Sequence, residues 1–175
     1  MRLSRVRAYA TVGVLAVAAG VVAGVAVAGD SQGTAATACP DSAPRVNLTL
    51  PEEESQVTIR VLNGSGVAGT AGRVTEDFKN RGFKTEKPKE KTKKSAEVAV
   101  IRYGPSSVSA AHWLRAYFLG AAVQEYSAER TSGTVEIVIG EKYQQLATKT
   151  EVNQSLAQLS APTLPPGACA VAAGR

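Results

Sequence analysis

The stretch Val61-Leu62-Asn63-Gly64-Ser65-Gly66-Val67-Ala68-Gly69 sets G-x-G-x-x-G directly behind an apolar run. That spacing can present backbone N–H groups to a pyrophosphate, and Glu86, about 20 positions on, stands where such a site would take a ribose hydroxyl. Two other uses compete. Gly64 and Gly66 would permit a tight strand-to-helix turn, with Asn63 or Ser65 as the cap and Gly69 and Gly72 letting the helix lie close on a sheet. Alternatively, the N–H groups of Asn63, Gly64, Ser65 and Gly66 would hold a phosphate or carboxylate at the helix start. A second candidate follows at once, because Lys84, Lys87, Lys89, Lys91, Lys93 and Lys94 face only Glu86 and Glu90. Lys89, Lys91, Lys93 and Lys94 would attract an anionic surface or polymer; the competing expectation is a solvated loop.

The remaining reactive types are sparse. Trp113, Tyr117 and Tyr126 would form a sugar-stacking platform, or, at helical spacing, Trp113 and Tyr117 would complete a core edge. His112 has no companion for a triad and reads as a surface or edge histidine. Glu52-Glu53-Glu54 read as solvated, with nothing to separate their pKa values for glycoside hydrolysis. With one histidine and two cysteines far apart, no metal-ligand spacing exists, and no cofactor is expected.

What must position these groups begins with an uncharged run, residues 8–28, long enough as a helix to cross a bilayer. Arg2, Arg5 and Arg7 before it and Asp30 after it place a cytoplasmic tail at 1–7 and send the rest outside. A cleaved signal peptide is the alternative, since Ala26-Val27-Ala28 fits a processing site. Ala16, Gly20, Gly24 and Ala28 recur every four residues and would let two such helices form a homodimer. Beyond the three arginines, 17 basic residues stand against 15 acidic, so the footprint of a nucleic-acid binder is absent. Outside the cell a soluble nicotinamide cofactor is not expected, which counts against the dinucleotide reading. There disulfides persist, and pairing Cys39 with Cys169 is the economical use of two thiols; lipid attachment at Cys39 is the rival.

Residues 29–55 have the Ser/Thr/Ala/Pro/Glu composition of a flexible tether. Val57, Ile59 and Val61 then alternate as a strand, and Val67, Ala71, Val74 and Phe78 mark one face of a helix ending at Arg81-Gly82. Phe83 to about Lys87 and Val98–Tyr103 read as strands, and Ser106 or Ser107 would cap a second helix that buries Ala111, Leu114 and Phe118. Val123–Ala128 and Thr134–Ile139 read as a hairpin. The order β-α-β-β-α-β-β predicts an α+β sandwich, two helices on a largely antiparallel sheet. Residues 144–175 form a C-terminal arm with a short helix near Val152–Leu159.

Five pieces in register carry a resemblance: Val61 to Gly66, Arg81-Gly82-Phe83, Ile101 to Pro105, Leu119-Gly120, and Val138-Ile139-Gly140 with Tyr143 three residues on. In order and spacing residues 56–143 resemble the LytR C-terminal domain family. The chain departs from that pattern at Lys89–Ser95, at Glu141 before the aromatic, and at Arg115 on a small-residue helix. The resemblance implies a non-catalytic, membrane-anchored cell-envelope domain that binds a cell-wall polymer or an envelope protein partner. The alternative it implies is a module presenting substrate to a glycopolymer-ligating LytR-CpsA-Psr enzyme, or a weak wall hydrolase.

Overall fold

The computed structural model describes residues 39–90 and 93–171; the expected span 8–28 and Lys91 lie outside the described residues. Among the described residues no helix is long and apolar enough to cross a membrane. The chain divides into Met1–Pro40, described only at Cys39 and Pro40, and Asp41–Arg175, which holds every element below.

Those elements are β1 (Arg45–Val46), β2 (Thr58–Asn63), α1 (Thr70–Asn80), β3 (Lys84–Thr85), β4 (Lys89–Glu90), β5 (Ala99–Tyr103), α2 (Val108–Ala116), β6 (Val123–Tyr126), β7 (Val135–Ile139), α3 (Lys149–Gln158) and β8 (Cys169–Ala170). Among the described residues the fold is α+β with three α-helices and a mixed sheet. The main sheet runs β3-β2-β7-β5-β6, with β4 also paired to β2.

The sheet is not largely antiparallel. β2 runs parallel to β3, β4 and β7, and β5 runs parallel to β6; among the described residues only β5 and β7 are antiparallel. A helix between two strands returns the chain to the end where it started, so each β-α-β stretch yields a parallel pair. The chain builds that unit twice, as β2-α1-β3 and β5-α2-β6, and β7 joins them.

The expected hairpin of β6 with β7 is absent for the same reason. β6 is held at the edge beside β5 by its crossover helix, and β5 separates it from β7. β7 is the more apolar strand, with Val135, Ile137, Val138 and Ile139 all fully buried, whereas Val123 of β6 is exposed. Burial sorts the apolar strand to the centre.

Helices α1 and α2 pack on one face of the sheet. Ala71, Val74 and Phe78 of α1 and Ala111 and Leu114 of α2 meet Ile59, Val61, Ile101 and Ile137 in one core. Phe78, fully buried, has the rings of Phe83, Tyr117 and Phe118 at 5.2, 5.7 and 6.3 Å. Val67 does not extend this face: α1 begins only at Thr70, and Val67 is 59% exposed. The opposite face of the sheet carries charge. Arg60 pairs with Glu86 and Glu136, Arg130 pairs with Glu136, and Arg102 donates to Glu125 at 2.6 Å. The Thr134 hydroxyl, then Arg60, holds the Glu86 carboxyl below its ordinary range.

The stretch expected to be a flexible tether is structured in its second half. Val46 is fully buried, and β1 pairs in parallel with β8 through Arg45↔Cys169 and Val46↔Ala170. Cys39 and Cys169 are both disulfide-bonded, and the chain contains no other cysteine. Glu54 is half-buried rather than solvated and accepts the Tyr117 hydroxyl at 3.2 Å. Helix α3 starts at a capping box between Thr148 and Glu151.

Candidate functional site

The glycine turn closes largely on itself. Asn63 ends β2 and is 3% exposed; its Oδ1 accepts the Ser65 N–H at 3.0 Å and the Ser65 hydroxyl at 2.8 Å, while its Nδ2 donates to the Val67 carbonyl at 2.7 Å. Ser65 Oγ in turn accepts the Val67 N–H at 3.2 Å. Gly64 N–H donates to the Ile139 carbonyl at 2.8 Å, and a Cβ at Gly64 would stand 2.8 Å from a Val138 methyl. Gly64 is therefore a close-approach position that locks the end of β2 onto β7. Neither Asn63 nor Ser65 caps α1, whose first flanking residue is Gly69 in a left-handed conformation, φ 76°. Gly69 and Gly72 do not mediate close packing, since no atom lies within 4 Å of a Cβ at either.

Of the described lysines Lys89, Lys93 and Lys94, the structure brings one to the turn. Lys94 lies over Gly66, whose φ is 80°, so closely that a Cβ there would meet its Cε at 2.7 Å. Its Nζ pairs with Glu141 at 3.2 Å. Lys93 is exposed beside it, Lys89 is exposed on β4, where its backbone registers with Leu62, and Lys91 is outside the described residues. The lysine segment is thus partly strand, a short edge added to β2, rather than loop throughout.

A cleft of about 710 Å³ opens beside Ser65, between the first two turns of α1 and residues 141–145. Its walls carry Val67, Arg73, Asp77, Glu141, Tyr143 and Gln144, with Thr70 and Gln145 among the others. Arg73 Nη2 donates to the Thr70 hydroxyl at 3.3 Å. Arg73 and Asp77 stand one helical turn apart, yet no ion pair joins them among the described residues. Tyr143 sets its ring edge-on to Phe118 at 6.2 Å. Burial, and then the neighbouring Asp77 carboxylate, pushes its hydroxyl up to about 12, so it remains a neutral donor and acceptor.

Sequence reading missed this cleft because it followed the buried stripe of α1. Arg73 and Asp77, four residues apart on the polar face, were the legible signal. The expected aromatic platform is not exposed: Trp113 and Tyr117 are 8% and 3% exposed and belong to the ring cluster around Phe83. Arg81 lies over the Tyr117 ring at 5.6 Å and donates to the Ala147 carbonyl at 2.6 Å.

His112 is not at the surface but 7% exposed. Burial first, and Arg115 second, lower its pKa from 6.5, and a backbone hydrogen bond with Ser160 only partly opposes them. The folded protein therefore holds it neutral where the unfolded chain takes up a proton, so stability is complete above 6.5 and is lost as pH falls below that value. Denaturation midpoints at about pH 7.5 and about pH 5.5 check this; the wild type should lose stability between them, and His112→Asn should lose less.

The LytR cell envelope-related transcriptional attenuator family matches residues 56–143. A solved structure, the soluble domain of a conserved hypothetical secreted protein (Rv2700 ortholog) from Mycobacterium marinum, is similar with a TM-score of 0.52 and 22% identity. The match covers 73% of this chain and 91% of that one, and at this identity it supports the shared fold. No curated protein sequence matches the chain.

Proposed function

Because the chain belongs to the LytR cell envelope-related transcriptional attenuator family, we propose that it is a non-catalytic envelope protein that binds a cell-wall polymer outside the cytoplasm. Residues 8–28 serve as its anchor in this reading. The observation that supports polymer binding is the cleft beside Ser65, with Lys94 lying over Gly66 and paired with Glu141 of the cleft wall. A solvent-open cleft lined by hydroxyls, amides and charges suits a repeating polar ligand, and the exposed Lys89 and Lys93 add attraction for its anionic groups. The non-catalytic reading has local support: the Ser65 hydroxyl is paired with a carboxamide oxygen, which is no base at neutral pH.

Retention of the full chain, in detergent, on purified cell-wall sacculi at two salt concentrations tests the reading. Wild-type protein should be retained and lose retention as salt rises. Replacing Lys89, Lys91, Lys93 and Lys94 with Gln should weaken it about tenfold, less than four full charges would give because Lys94 already pairs with Glu141. Absence of retention at low salt overturns polymer binding. Capture of an envelope protein alone would favour a scaffold, and turnover of any wall substrate would overturn the non-catalytic reading.

A further inference from the structure

We propose that the cleft between α1 and residues 141–145 is a saccharide site, in which Tyr143 forms the wall and Arg73, Asp77 and Gln144 hold hydroxyl groups. This rests on the polymer-binding reading and assigns the part of the polymer that the cleft takes. The charge of the lining decides between ligand classes. Glu141 is paired with Lys94 and Glu76 with Lys79 at 3.8 Å, which leaves Arg73 and Asp77, one cation beside one anion, as the charges the cleft offers. A phosphate drawn to Arg73 would meet Asp77 beside it and gain no net attraction there, whereas an uncharged hydroxyl can donate to Asp77 and accept from Arg73 at once.

The geometry fits the same class. Arg73 and Asp77 are exposed on one side of α1, four residues apart and not joined to each other, so their planar groups remain available for neighbouring hydroxyls of one ring. Gln144 adds a carboxamide from the facing segment, able to donate and accept. Tyr143 is half-buried with its edge on Phe118, which fixes the ring, and Val67, 59% exposed, extends the apolar surface for the C–H face of a sugar. At about 710 Å³ the cleft has room for a disaccharide-sized ligand. Exposure of Val67, which is otherwise a cost to a soluble surface, has a use in this arrangement.

Titration calorimetry on the full chain in detergent tests the assignment with three probes: tetra-N-acetylchitotetraose, maltotetraose and inorganic phosphate. Binding of either sugar, weakened about tenfold by Arg73→Ala and by Asp77→Ala with unchanged thermal midpoints, supports the site. The preferred sugar then tells an N-acetylated backbone from a plain hexose polymer. Tyr143→Phe keeps the ring and should cost less than about threefold, whereas Tyr143→Leu should cost as much as the charge variants. Binding of neither sugar, equal binding by all variants, or phosphate binding that displaces the sugar overturns the proposal. If sacculi still retain the wild type while both sugars fail, polymer binding stands on the lysine segment and only the saccharide assignment falls.

Discussion

Phe78→Ala should destabilise the protein by about 3–5 kcal/mol, the range for truncating a fully buried ring. The position is fully enclosed, and it joins both helices: Phe83 follows α1 at a ring distance of 5.2 Å, and Tyr117 and Phe118 follow α2 at 5.7 and 6.3 Å. Phe83 and Tyr117 also meet each other edge-on at 5.1 Å, so this frame is held from several sides and collapses poorly into the void. Against a total stability of about 5–15 kcal/mol, the loss is a large fraction. Urea denaturation followed by circular dichroism measures it as a lower midpoint at unchanged slope. A loss under about 1 kcal/mol would show that the ring cluster is not what holds α1 and α2 on the sheet.

Removing the disulfide with Cys39→Ser and Cys169→Ser should cost about 4–5 kcal/mol in the chain-entropy account, because the bond closes a loop of about 130 residues. Near Cys169, the Cys169 N–H donates to the Pro44 carbonyl at 3.0 Å and Val171 N–H to the Val46 carbonyl at 2.9 Å. Those bonds keep β1 on β8 in the native state, so the effect falls mainly on the unfolded chain, which gains freedom. Thermal melts with and without reductant should reproduce the difference in wild type and show none in the double variant. Equal electrophoretic mobility with and without reductant, together with maleimide labelling of both thiols in the untreated protein, would contradict the bond.

Much of the fold was legible because burial writes itself into periodicity. Val57, Ile59 and Val61 marked β2, Ala71, Val74 and Phe78 marked α1, and the apolar run 98–103 marked β5. Strand direction was not legible. Thr134–Ile139 follows Val123–Ala128 closely enough to suggest a hairpin, and nothing local in either strand records that β5 takes the place between them. The burial of Val46 was hidden by its polar surroundings, and the short strand at Lys89–Glu90 by its charge, since both are held by long-range partners, β8 and β2. His112 and Glu54 were misplaced for a related reason: the groups they hydrogen-bond, Ser160 and Tyr117, are each at least 48 residues away in sequence. In the candidate site, the glycine turn was read at the right position but with too much freedom. Asn63 spends its side chain closing the turn, and the side chains that line the cleft come from the polar face of α1 and from beyond Gly140.

The position of β7 carries a consequence for how the molecule is assembled in time. As the chain emerges from its first residue onward, both strand-helix-strand halves are complete before the strand between them exists. Until Val135–Ile139 arrive, β2 and β5 each present a bare inner border with unpaired amides and carbonyls. The middle strand is thus a keystone, the last stone set and the one that makes an arch of two leaning piers. A chain cut short before it would leave both borders open and stick to its own kind along them, and closure must wait on contacts distant in sequence, the slow step in any such architecture.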